Sequence, residues 1–230
     1  MLGKIMRIVA IILLGLTAVF SLLGGIGSTC VAFAAEKYPS MSAIVPFKWL
    51  YILYVILTIA ASLYAVRATV NLVRNKPGAY RQAIIAILAC LILATAQVIS
   101  SRLLRGKSMP NDMRVYVSFL ALIVFLLLRI PGIWQQSGMG RSDAGDGPGL
   151  AAGTALFLGG VTVLTVHLWA GPTHTFGGVN FADVWHTQLA ILGWVLVAAS
   201  LALFGRGLAR LLRAERLQQA AATTAAKPVA

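Results

Sequence analysis

All three histidines of the chain, His167, His174 and His186, fall within one twenty-residue window. Imidazole is the side chain that most readily ligates zinc, copper or haem iron, and it can exchange a proton near neutral pH. Two constellations follow. His167 and His186 form a candidate cofactor-binding pair, the axial ligands of a haem b. His174 and Asp183 are the candidate metal residues, although no spacing such as His-Glu-x-x-His sets two ligands on one helix face.

The haem pair has a supporting pattern. Gly160 lies seven residues before His167, and Gly193 lies seven residues after His186. Each histidine therefore has a glycine two turns away on its own helix face. Missing side chains there would make room for a flat macrocycle between the helices. They would equally let two backbones pack closely, the usual reason for small residues in membrane helices. The two readings exclude each other, and helix spacing decides between them. A plainer account also stands. Asp183 occupies an N-cap position before a helix opening near His186, and Trp169 and Trp185 flank the histidines as interfacial aromatics do.

Other catalytic patterns are absent. The chain contains no Gly-x-Ser-x-Gly elbow, no Gly-x-x-x-x-Gly-Lys loop and no Cys-x-x-Cys pair. Cys30 and Cys90 read as small apolar packers. The expected class is a non-enzyme.

The elements that must carry these residues are apolar. Hydrophobic residues make up 59% of the chain and charged residues 11%, a balance that leaves a soluble protein too little polar surface. Six stretches approach the roughly 20 residues needed to cross a hydrocarbon core: Ile8–Ala35, Trp49–Val66, Gln82–Ser101, Val115–Trp134, Gly149–Gly171 and Val184–Gly205. None alternates with period two, so the prediction is an all-α integral membrane protein rather than a barrel. The first stretch is longer than a signal-peptide core and reads as a retained helix. In the fourth, Arg129 is expected to snorkel to the interface and Pro131 to kink the last turn.

Residues 135–149 are rich in Gly, Ser and Asp, the composition of a flexible linker. The helices therefore divide into a four-helix module over residues 1–134 and a transmembrane hairpin over 150–205. Residues 206–230 are expected to form a short basic amphipathic helix, carrying Arg206, Arg210, Arg213 and Arg216, followed by a disordered tail. Gly24, Gly25 and Gly27, and Gly149 with Gly153, read as helix-contact faces.

The net charge of +13 comes from 19 Lys and Arg that flank the apolar runs. That placement fits anionic lipid headgroups rather than nucleic acid. Thirteen of the 19 lie at the N-terminus, in loops 67–81 and 129–148, and in the C-terminal tail. The positive-inside rule then puts both termini in the cytoplasm of a multi-pass plasma-membrane protein. One loop disagrees: Arg102, Arg105, Lys107 and Arg114 would face outward. None of the six acids falls inside a predicted span, which disfavours an ion-coupled carrier. The function expected is an accessory or scaffolding subunit that packs against other membrane-protein subunits. The alternatives are a haem b or metal electron-transfer subunit and a passive small-solute transporter.

Overall fold

The computed structural model describes residues 2–108, 111–139, 147–170, 175–176 and 178–225. The chain is nearly all helical. Helix α1 (Leu2–Gly27) runs on through a turn at Ser28 into α2 (Thr29–Ala34). Two 3-10 turns, Ala35–Lys37 and Pro39–Phe47, lead to α3 (Lys48–Val73) and then α4 (Ala79–Arg105). Next come α5 (Asp112–Leu128), α6 (Pro131–Ser137), α7 (Gly147–Leu164) and α8 (Val166–Ala170). A two-residue hairpin pairs β1 (Thr175–Phe176) with β2 (Val179–Asn180). Helices α9 (Phe181–Val184) and α10 (His186–Ala225) follow.

Among the described residues, four helical stretches are long and apolar enough to cross a membrane: Leu2–Lys37, Met41–Val73, Ala79–Arg105 and His186–Ala209. These are compatible with a membrane location. A fifth arises if the bent pair α5 and α6 counts as one span. The apolar part of α7, Ala151–Leu164, falls short of that length. The Gly-rich segment 140–146, the loop 171–174 with His174, and residues 226–230 lie outside the described residues.

Helix α1 is the hub and packs against α3, α4, α5, α6 and α7. Hydrogen bonds fix the directions of its neighbours. At one end Ser28, at the close of α1, meets Gln97 near the close of α4, and Arg114 at the start of α5 reaches Gln97 and Thr58 of α3. At the other end Asn71 of α3 donates to Gln82 of α4 at 2.7 Å. There too the Tyr80 hydroxyl of α4 donates to the Phe125 carbonyl of α5 at 2.7 Å. The bundle α1, α3, α4 and α5 therefore runs up and down alternately. Its core at the Tyr80 end is Ala10, Ile11 and Leu14 against Ala65, Ala83, Ile87, Phe125 and Leu128, all fully buried. Small residues let the backbones approach where lipid offers no hydrophobic drive to association.

Several sequence expectations are corrected here. Val115–Trp134 is not one continuous helix with a kinked last turn: α5 stops at Leu128 and α6 leaves it at 96°, the geometry of a broken span or a re-entrant loop. Pro131 disfavours helical backbone at the preceding residue, and Ile130 accordingly sits at ψ 126°. Arg129 is exposed, with its guanidinium 5.6 Å from the Tyr80 ring centre and 5.3 Å from that of Trp134. The faces of these two rings attract the charge. The basic segment after Gly205 is not a separate short helix either, because α10 continues through it to Ala225. Helix-favouring Leu, Arg, Gln and Ala carry the backbone on where no Pro or Gly interrupts.

Helix α6 turns back onto the start of α1. A β-carbon at Gly3 would collide with the Ile133 carbonyl and with Gln136, so only glycine admits this approach. Arg7, though near the N-terminus, is buried, and its Nη1 donates to the carbonyls of Ser137 and Gly138 at 3.4 and 3.3 Å. A cation is favourable where a helix ends in unpaired carbonyls.

Candidate functional site

The predicted pair is brought together. His167, in α8, and His186, which opens α10, have ring centres 5.6 Å apart in an edge-on arrangement. His167 is half-buried and His186 exposed. Beneath them α7 and α10 run antiparallel and in contact. A β-carbon on Gly160 would lie 2.9 Å from the Gly193 carbonyl and 2.8 Å from Val197. One on Gly193 would lie 2.6 Å from Leu164, and one on Gly153 would lie 2.7 Å from Phe204. The glycines thus serve close helix packing. The cavity under the two rings, floored by Leu164, Ala190 and Trp194, measures about 130 Å³. Small-molecule pockets run to roughly 300 Å³ and more, so in this packing a porphyrin has no slot between the helices.

Of the other two residues of the constellation, the structure describes Asp183. Asp183 is exposed within α9 and does not cap α10. Trp185 occupies the position before α10, and its carbonyl accepts from Leu189 N–H at 2.9 Å as the first backbone bond of that helix. His174 lies outside the described residues. Among the described residues no group of three or more His, Cys, Asp or Glu comes together in a metal-holding arrangement.

A second site, not expected from the sequence, lies inside the bundle. Arg114 was placed in an outward-facing loop by its position at the edge of an apolar run. It belongs instead to the first turn of α5 and is 2% exposed. Its Nη1 donates to Gln97 Oε1 at 2.7 Å and to Asn111 Oδ1 at 3.3 Å, and its Nη2 donates to Thr58 Oγ1 at 3.3 Å. The network continues: Gln97 Nε2 donates to Ser28 Oγ at 2.7 Å, and Ser28 Oγ donates to the Gly24 carbonyl at 2.7 Å. Four helices are joined through one guanidinium. Arg114 Nε is buried with no partner.

None of these partners is an acid. Asp112, close in sequence, is taken by Arg102 Nη2 at 3.0 Å and by the Ser108 hydroxyl at 2.8 Å. Glu36 pairs with Lys48 at 2.8 Å. Burying a cation with only neutral oxygens around it is costly.

Around this charge the interior is polar. Toward the Arg105 end of the bundle, the Tyr51 hydroxyl lies 2.9 Å from Ser101 Oγ, and that of Tyr54 lies 2.9 Å from Ser100 Oγ. A small apolar cap of Ala32, Ala35, Met41 and Ile44 covers Tyr51 and Val55. Toward mid-bundle, Ser21 stands beside the Cys90 thiol, and Arg114 is within electrostatic reach of that thiol. The hydroxyls of Ser118 and Thr17 are buried without a partner. Beyond them the axis closes in the Ala, Ile, Leu and Phe core. The column is blind.

A sequence signal for this site existed. Thr17, Ser21, Gly24 and Ser28 on α1, and Cys90, Ala94, Gln97 and Ser101 on α4, repeat at spacings of four, three and four. That spacing keeps residues on one helix face. No protein-family model matches this chain, nor does any curated protein or solved structure.

Proposed function

We propose that this chain is a multi-pass plasma-membrane protein without catalytic activity of its own, an accessory or scaffolding subunit of a membrane complex. Six crossings with both termini cytoplasmic complete the reading. Helix α7, with 18 residues, would extend roughly 27 Å at 1.5 Å per residue, and α8 lengthens it. The observation that carries the functional reading is the blind polar column. Its paired hydroxyls and amides bond one helix to the next, as in Tyr51 to Ser101 and Gln97 to Ser28, which supports a structural rather than a catalytic interior. A passive transporter is less well supported, because the column ends against Leu14 and Phe125, both fully buried.

Contact surfaces for partners would be Arg105 and Lys107 at one end and Arg206 to Arg216 at the other, the latter also suited to anionic headgroups. Purification in mild detergent tests this. A defined larger complex with a stoichiometric partner is expected, and a monodisperse chain without one would refute it. Labelling of cysteines placed at Asn180 and Ala222 tests the orientation, with only the first reactive from outside intact cells.

The second reading, a haem or metal electron-transfer subunit, draws support from the 5.6 Å separation of His167 and His186. The helix contact at Gly160 and Gly193 weighs against it. An absorption spectrum after haem-replete expression discriminates: a Soret band lost in His167→Ala would support haem, and a colourless protein would exclude it.

A further inference from the structure

The bundle interior holds a positive charge that its own residues do not balance. Of the five N–H donors of a guanidinium, Arg114 commits two from Nη1 to Gln97 and Asn111 and one from Nη2 to Thr58. Nε–H and the second Nη2 hydrogen remain, and Nε and Nη2 form one edge of the planar fork. Along α5, one turn deeper, the buried Ser118 hydroxyl also lacks a partner. A buried cation without an acid, with donors left free on it and on the next turn of its helix, describes the complement of an anion.

We propose that Arg114 and Ser118 form a binding site for a monovalent, chloride-sized anion inside the membrane bundle. Monovalence follows from the charge: one guanidinium cancels one negative charge, whereas sulfate or a phosphate dianion would leave a net negative charge in the apolar interior. Small size follows from the surroundings, since Ser21, Ser118 and Cys90 are buried at 1% exposure or less. A spherical ion needs no bidentate geometry and suits a mixture of N–H and O–H donors. Lys107, exposed at the same end of the bundle, raises the local concentration of anions. The bound ion would lock α1, α3, α4 and α5 together through Arg114, and so couple the stability of the module to anion concentration. This site is independent of the histidine pair and of any partner subunit.

The test uses the purified full-length chain in detergent, held at constant ionic strength in gluconate. Chloride, bromide and nitrate are expected to raise the unfolding temperature saturably, while sulfate and gluconate leave it unchanged. Retention of radioactive chloride measures binding directly. Arg114→Met, which removes the charge but keeps an apolar stem, is expected to fold and to lose all anion dependence. Ser118→Ala keeps the charge and is expected to weaken chloride binding about tenfold, the scale of one hydrogen bond to an ion. If Arg114→Met does not fold, the Ser118→Ala shift and the selectivity series decide. No saturable chloride response in the wild type, or an equal response in a folded Arg114→Met variant, would overturn the proposal.

Discussion

The α-carbon of Gly24 lies directly against the side chain of Arg114: a β-carbon at position 24 would stand 2.9 Å from Nε and nearer still to Cδ. The absence of one side chain on α1 is what lets a guanidinium from α5 cross the bundle to α3 and α4. Gly24→Ala is therefore predicted to cost about 1–3 kcal/mol, the usual range for overpacking a filled interior, measured by denaturant unfolding in micelles. Gly205→Ala is the control, since nothing lies within 4 Å of its added carbon. It is predicted to be neutral or to stabilise by up to about 1 kcal/mol through helix propensity. Equal effects at the two positions would contradict the packing.

At the α7–α10 contact, Gly160→Val is predicted to destabilise the protein by about 1–3 kcal/mol. The new side chain would meet the Gly193 backbone, which cannot rotate away as a side-chain tip can. Unchanged stability would mean that the helices stand apart and that the glycines serve some other purpose.

At the opposite end, Arg7→Met removes the donor to the Ser137 and Gly138 carbonyls. Hydrogen exchange over Pro131–Met139 is predicted to rise by at least about tenfold, the kinetic equivalent of the 1.5–3 kcal/mol typical of a charged hydrogen bond, with α3 and α4 unaffected. No change in α6 would show that Gly3 alone holds it.

These positions differ in how far the sequence exposed them. The meeting of His167 with His186, and of Gly160 with Gly193, was legible because a seven-residue spacing returns to the same helix face whatever surrounds it. The 96° break between α5 and α6 was not, because a proline near the end of an apolar run signals a kink without giving its size. Arg114 was misread for a different reason. Counting charges at the edges of apolar runs treats each arginine as a marker of sidedness, and takes no account of where its long stem points. The stem of Arg114 turns inward because Gln97, Thr58 and Asn111 offer oxygens there and Gly24 offers space. That pocket is assembled from four helices and is local to none. Arg102, equally close to the edge, stays outside because Asp112 and Ser108 hold it.

The account rests on the Arg114 side chain lying inside the bundle, and accessibility labelling measures this most directly. In a background lacking Cys30 and Cys90, single cysteines at positions 107, 113 and 114 would be exposed to a membrane-impermeant maleimide. Lys107→Cys is predicted to react readily, because Lys107 is exposed, and Met113→Cys to react measurably, because Met113 is 40% exposed. Arg114→Cys is predicted to stay unreactive until the protein is denatured. Reaction at position 114 as fast as at position 107 would place the arginine on the surface and contradict the polar interior described for this protein.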